Sequence, residues 1–195
     1  MKSMLLCLCA FTLFSAIGLV HCHFHSTTEI PPRLTQKKTS LHFFLHHSFK
    51  GSKPSSVIVA GANSSTGNNS LLSPFGTGHV LDEHLTEGPE PTSKVIGNAQ
   101  GLLVSSGPKE LSLAVYLDFG FTTGEFDGSS IVVASRFPVA ADFAELEVVG
   151  GREKFRMTSG FVELKRYYFN ETTGEAIGEW SSTLFYWSAQ MLIVF

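Results

Sequence analysis

The chain has 195 residues and a mass of 21.2 kDa, one domain's worth of sequence, and its 43% hydrophobic content suffices for a core of ordinary size. Lys and Arg number 14 against 17 Asp and Glu, a net charge of −3 with no long run of like charges, so nothing marks a nucleic-acid partner. Charged residues are only 16% while Gly is 18 and Phe is 17, a balance that disfavours an all-α fold and suits a sheet-rich one.

Lys2 precedes an apolar stretch from Met4 to Val20 that ends among the small residues Ser15, Ala16 and Gly18. A membrane anchor needs about 20 apolar residues. The stretch is shorter and stands at the extreme start, so residues 1–22 read as a secretory signal peptide cleaved near Cys22, with no membrane anchor. Cysteines occur only at Cys7, Cys9 and Cys22, which leaves the expected mature chain without a thiol or a disulfide framework. Residues 23–39 are polar, carry Pro31-Pro32 and Lys37-Lys38, and read as a flexible arm, with the folded body expected from Ser40.

From there, turn chemistry recurs around 51–54, 61–70, 88–91, 107–108, 124–128, 150–151 and 170–174. The segments between are short and strand-like: 41–49, 56–60, 75–83, 94–105, 111–118, 129–136, 143–149, 160–169 and 176–187. Leu111, Leu113, Val115 and Leu117 alternate with Ser112, Ala114, Tyr116 and Asp118, the period of a half-buried strand. Strands in series without a convincing helix predict an all-β antiparallel barrel or sandwich, and a closed barrel leaves room for a lined cavity. Three sequons, at Asn63, Asn68 and Asn170, fall in predicted loops and agree with export and N-glycosylation.

Motifs for other chemistries fail. Gly76-Thr77-Gly78 lacks the third glycine and the helix of a dinucleotide fingerprint, and Gly61 to Gly67 is followed by Asn68 where a phosphate-binding loop needs lysine. There is no G-x-S-x-G elbow. His42 and His46 on one strand would stand roughly 13 Å apart at about 3.3 Å per residue, too far to share one ion, and no metal site is expected.

Five blocks in order carry a resemblance: Leu41-His42-Phe43-Phe44-Leu45-His46-His47, Ser73-Pro74-Phe75-Gly76-Thr77, Leu81-Asp82-Glu83-His84-Leu85-Thr86-Glu87-Gly88-Pro89, Val95-Ile96-Gly97-Asn98-Ala99-Gln100-Gly101 and Val148-Val149-Gly150-Gly151. Together they resemble the plant dirigent family from Ser40 to about Trp187, which leaves 188–195 as an unexplained apolar tail. The resemblance implies a secreted, glycosylated, cofactor-free, eight-stranded antiparallel barrel of the allene-oxide-cyclase-like type. It also implies a homo-oligomer, a trimer before a dimer, in the apoplast or cell wall, with a cavity for phenolic small molecules. Such proteins orient phenoxy radicals made by a separate laccase or peroxidase, so that monolignol coupling in lignan biosynthesis yields one stereoisomer; orientation alone is a route to selectivity. Some relatives are instead dehydratases that close a ring through a quinone methide with carboxylates as acid and base, and a third reading is a non-catalytic wall or defence protein.

The departures from that pattern define the candidate site. Relatives carry Asp at His47, Arg at Asn98 and Tyr at Leu103, and the lignan-forming branch carries Asp at Phe137 and Arg at Ala144. The resemblance makes Asp82 and Glu145 retained acidic positions, and they are the catalytic candidates together with His47; the substrate-binding candidates are Phe44, Leu103, Arg136 and Phe137. Each has a plainer alternative. Asp82 serves equally as partner of a turn amide or an Arg, Glu145 as part of a solvated stripe with Glu147, Arg136 as an anchor for Asp142, and Phe137 as core. A histidine at position 47 is expected to titrate between about pH 5 and 7, where a carboxylate would not.

Overall fold

The structure is a computed structural model that describes residues 27–28, 34–50, 53–61, 73–170 and 172–189. The expected signal segment with its cysteines, the sequons at Asn63 and Asn68, and residues 190–195 lie outside the described residues. Among those described, nine strands follow one another: β1 (Leu34–Ser48), β2 (Ser56–Ala60), β3 (Gly78–Thr86), β4 (Val95–Ser105), β5 (Ser112–Phe121), β6 (Ser130–Pro138), β7 (Phe143–Arg152), β8 (Ser159–Asn170) and β9 (Glu175–Ala189). Single 3-10 turns at Gly124–Phe126 and Glu153–Phe155 interrupt them.

The strands pair antiparallel in the order β1-β9-β8-β7-β6-β5-β4-β3-β2, and β1 also pairs with β3 through Phe44 with Thr86, Leu45 with Leu85 and His46 with His84. That last pairing closes eight strands into an antiparallel barrel and leaves β2 as an added strand on the edge of β3. Closure removes the free edges that an open sheet would expose. Residues 34–39, expected to be a flexible arm, are strand paired with β9 from Leu34 opposite Ala189 to Thr39 opposite Leu184. Their backbone groups are satisfied by that partner although their side chains show no hydrophobic period, so the sequence pattern was silent there. The same pairing takes Ser188 and Ala189 out of the expected tail and into β9.

The interior follows from alternation. On β5, Leu113, Val115, Leu117, Phe119 and Phe121 are buried, and the residues between them face outward. Half of the barrel is filled by aromatic rings. Phe43 packs on Phe119 and Phe121, Phe119 on Trp180, and Phe155 on Phe121, Phe126 and Tyr186, with ring centroids 4.7 to 6.1 Å apart. Tilted and edge-on rings at this spacing add to the burial of their area. The strands also press closely at Gly101 of β4, where a Cβ would overlap the Tyr116 carbonyl oxygen of β5. Gly101→Ala is expected to lower the urea midpoint of unfolding clearly; an unchanged midpoint would mean that β4 and β5 can separate without loss.

Candidate functional site

The other half of the barrel is hollow. The cavity encloses about 790 Å3 of space outside protein atoms, including the part open to solvent. Its wall is mainly apolar: Leu45 of β1, Leu81 of β3, Leu103 of β4, Leu113, Val115 and Leu117 of β5, Phe137 of β6 and Trp180 of β9. Concave, mostly apolar sites with a few placed polar groups are where small organic molecules bind.

The polar groups arise at the closing seam. Past His46 and His84 the direct pairing of β1 with β3 ends, and the Ser55 carbonyl accepts the Asp82 N–H at 2.9 Å instead. The next inward positions on the two strands are His47 and Glu83, and both line the cavity. His47 Nδ1 and Glu83 Oε1 are in direct contact, a contact that requires a proton between them. The Ser55 hydroxyl donates to Glu83 Oε1 at 3.4 Å, and Ser55 Oγ in turn accepts the Ser48 N–H at 2.8 Å. The Phe49 ring lies edge-on to His47 at 3.8 Å.

Burial decides the state of the imidazole. The Glu83 side chain is fully buried and the His47 side chain is 10% exposed. A neighbouring carboxylate favours imidazolium, but desolvation opposes it and wins: it pushes the His47 pKa down to about 3, with His79 adding to the effect. His47 is therefore neutral between pH 5 and 7, which corrects the expectation that it titrates in that window. His79, buried between Ser56 and Ser73, is lowered by burial as well.

An unfolded histidine takes up a proton near 6.5, and His47 refuses it when folded, so its stabilising contribution is complete above about 6.5 and declines as pH falls toward 3, with His79 acting in the same direction. His47 sets a slope of up to roughly 1.4 kcal/mol per pH unit. The urea midpoint should accordingly be lower at pH 4.5 than at pH 7.5. Equal midpoints would contradict a neutral, buried His47.

Among the described residues three polar atoms of the cavity wall are buried without a hydrogen-bond partner: His47 Nε2, Glu83 Oε2 and Trp180 Nε1. A buried polar atom left unpaired costs about 1–3 kcal/mol, which a ligand that pairs with it recovers. Arg166 of β8 also lines the cavity; its Nη2 donates to the carbonyls of Val139 and Ala141, the latter at 3.1 Å, and its Nη1 lies 3.4 Å from Asp142 Oδ1. One guanidinium thus fastens the β6–β7 turn, whose Val139, Ala141 and Asp142 belong to the wall.

The expected residues divide. His47, Leu103 and Phe137 line the cavity. Asp82 does not: Leu81 and Leu85 fix the inward face of β3, so Asp82 points out and its Oδ1 accepts from Asn98 Nδ2 at 3.1 Å. The inward acid is its neighbour Glu83, a signal the alternation of Leu81, Glu83 and Leu85 already contained. Glu145 stands on the exposed face of β7 opposite Glu163, because Leu146 and Val148 take the inward positions. Phe44 is buried on the outside of the barrel under Tyr167, 5.5 Å between ring centroids, where a bulge at Arg166/Tyr168 swings Tyr167 over the sheet. Arg136 is exposed on the outer face of β6, and Asp142 pairs with Arg166 in its place. Phe169 lines the cavity, as its aromatic character suggests, whereas nothing in the strand pattern signalled Arg166 and Tyr168, because the same bulge shifts the alternation.

Fold and site together define a closed antiparallel barrel that holds a carboxyl–imidazole pair in an apolar cavity. The model of the family described as dirigent-like protein matches residues 38–185, and the chain belongs to that family. It is 40% identical over 193 residues to Dirigent protein 15 of Arabidopsis thaliana, covering 96% of this chain and all of the relative. It is 39% identical over 153 residues to Pterocarpan synthase 1 of Glycyrrhiza echinata, covering 78% and 80% of the two chains. The solved structure of the pterocarpan synthase dirigent protein GePTS1 superposes with a TM-score of 0.75 at 34% identity, over 86% of this chain and 91% of that one.

Proposed function

We propose that this dirigent-type barrel binds one phenolic molecule in its cavity and closes a ring in it by loss of water through a quinone methide. The observation that carries the reading is the buried Glu83–His47 pair with Glu83 Oε2 and His47 Nε2 unpartnered in an apolar wall. Loss of a benzylic hydroxyl needs a proton delivered to the leaving oxygen and one removed from the phenol. The pair gives a proton to the leaving hydroxyl from one of its free atoms and takes the phenolic proton at the other, so its own proton count is unchanged. The C–O electron pair departs with water, and the phenolic oxygen's electrons form the methide. A second hydroxyl of the same molecule then bonds to the methide carbon, and its proton returns through the pair to the phenolic oxygen. The net change is loss of one water, with no oxidant. Similarity to pterocarpan synthases supports a reaction of this kind. Leu103 and Phe137 would hold the aromatic ring.

The second reading is stereoselective coupling of phenoxy radicals supplied by a separate laccase or peroxidase, which the resemblance to the dirigent family implies. Oxidant dependence separates the two. Product from a hydroxybenzyl alcohol without oxidase supports ring closure. Product that appears only when oxidase is added, and as one enantiomer, supports coupling.

We propose further that the protein is secreted and N-glycosylated. Asn170 stands at the end of β8, where its Oδ1 accepts the backbone N–H of Thr172 and Thr173 at 2.9 and 3.2 Å in an exposed turn. Among the described residues no helix is long and apolar enough to cross a membrane. Glycosidase treatment of protein made in a plant cell should lower its mass, whereas a cytosolic, glycan-free chain that keeps Met1 would overturn this. A homo-oligomer, a trimer first, is supported by a row of directly opposed residues on the outer face: Val57, Val80, Leu102 and Tyr116, each 40% to 49% exposed on β2, β3, β4 and β5. Mass measurement in solution checks it, and a strict monomer at micromolar concentration would contradict it.

A further inference from the structure

Trp180 is only 3% exposed, its indole is backed by Phe119 at 5.1 Å, and its Nε1 has no partner among the described residues. The ring lies in the cavity wall. Gly178, the preceding inward residue of β9, lines the cavity without a side chain, and a Cβ built on it would stand 2.7 Å from Trp180 Nε1 and 3.0 Å from Leu164 Cδ1. The glycine thus makes room for the indole edge, whose N–H is buried in the cavity wall without an acceptor. An indole N–H donates and cannot accept. A ligand that pairs with it must bring an acceptor.

This donor is separate from the acid–base pair. His47 stands opposite Ala176, and Phe43 opposite Trp180, four residues further along both strands. At about 3.3 Å per residue the two stations are roughly 13 Å apart at the level of Cα, which suits a molecule with two ring systems better than a single phenol. We propose that Trp180 is a specificity-determining residue: with its phenolic end at Glu83 and His47, the substrate turns an acceptor oxygen, an aryl ketone, ether or methoxy group, toward Trp180 Nε1. The inference rests on the phenolic reading of the cavity and adds the second recognition point.

The test is calorimetric titration of the full chain with two probes that differ by one group, para-hydroxybenzophenone and para-benzylphenol, in which the carbonyl is replaced by methylene. The wild-type chain binds the ketone more tightly. Trp180→Phe keeps an aromatic floor and removes the N–H; it weakens the ketone roughly 3- to 10-fold, the size of one neutral hydrogen bond, and leaves para-benzylphenol within about twofold. Gly178→Ala presses a methyl group against Nε1 and abolishes the preference for the ketone. Equal weakening of both probes by Trp180→Phe would show a purely structural role, and an unchanged affinity for the ketone would show that the N–H is not used; either overturns the inference while leaving the phenolic reading in place. If the wild-type chain binds neither probe, the phenolic reading itself falls and the inference with it.

Discussion

Glu83→Gln should lower the rate of dehydrative ring closure by roughly 100- to 10,000-fold, the range over which a positioned acid–base group contributes. Glutamine keeps the shape of the side chain beside His47 and Ser55 but cannot give up or take a proton at neutral pH. The loss should appear in kcat more than in KM, because the proton moves in the transition state and not on binding. Asp82→Asn, one residue away on the outer face with its carboxylate on Asn98, should change the rate by less than a few-fold. The contrast is the test of the inward face of β3: if Asp82→Asn proved the more damaging of the two, Glu83 would not be the working acid.

Phe155→Ala should be the most destabilising of the core truncations. Phe155 is fully buried, it ends the 3-10 turn after β7, and its ring ties Phe121, Phe126 and Tyr186 together at 6.1, 4.7 and 5.5 Å. Removing a buried phenyl ring costs about 3–5 kcal/mol through lost burial and the hole left behind. For a domain of this length that corresponds to a fall in Tm of roughly 6 to 20 °C. The ring lies in the filled half of the barrel and does not line the cavity, so ligand affinity at a temperature where the variant is folded should stay within about twofold. A fall in Tm of only a degree or two would mean that the aromatic cluster can close over the gap.

The order of strands was legible because alternation is a local property. Leu113, Val115 and Leu117 against Ala114, Tyr116 and Asp118 announce β5 without any knowledge of its neighbours. The same rule, applied to Leu81 and Leu85, assigns Glu83 to the interior, whereas only the family resemblance, and not parity, points to Asp82. Other features depended on partners distant in sequence. Lys37 and Lys38 sit in a strand because β9 pairs with them, and no local pattern says so. Phe44 faces outward and yet is buried, because a bulge in β8 carries Tyr167 across to cover it. The state of His47 is likewise a property of the assembled site: a lone histidine titrates near 6.5, and only the packing of β1 against β3 and Phe49 removes the water that would solvate its charge.

The most direct measurement of the central claim is the enantiomer ratio and yield of ring-closed ether formed from a hydroxybenzyl alcohol that carries its own hydroxyl nucleophile, with purified protein and no oxidase present. The carboxyl–imidazole pair predicts steady turnover to one enantiomer in clear excess with the wild-type chain, and a racemic trace at the uncatalysed rate with Glu83→Gln. A racemic trace from both proteins, or equal turnover by both, would contradict an acid–base role for the pair.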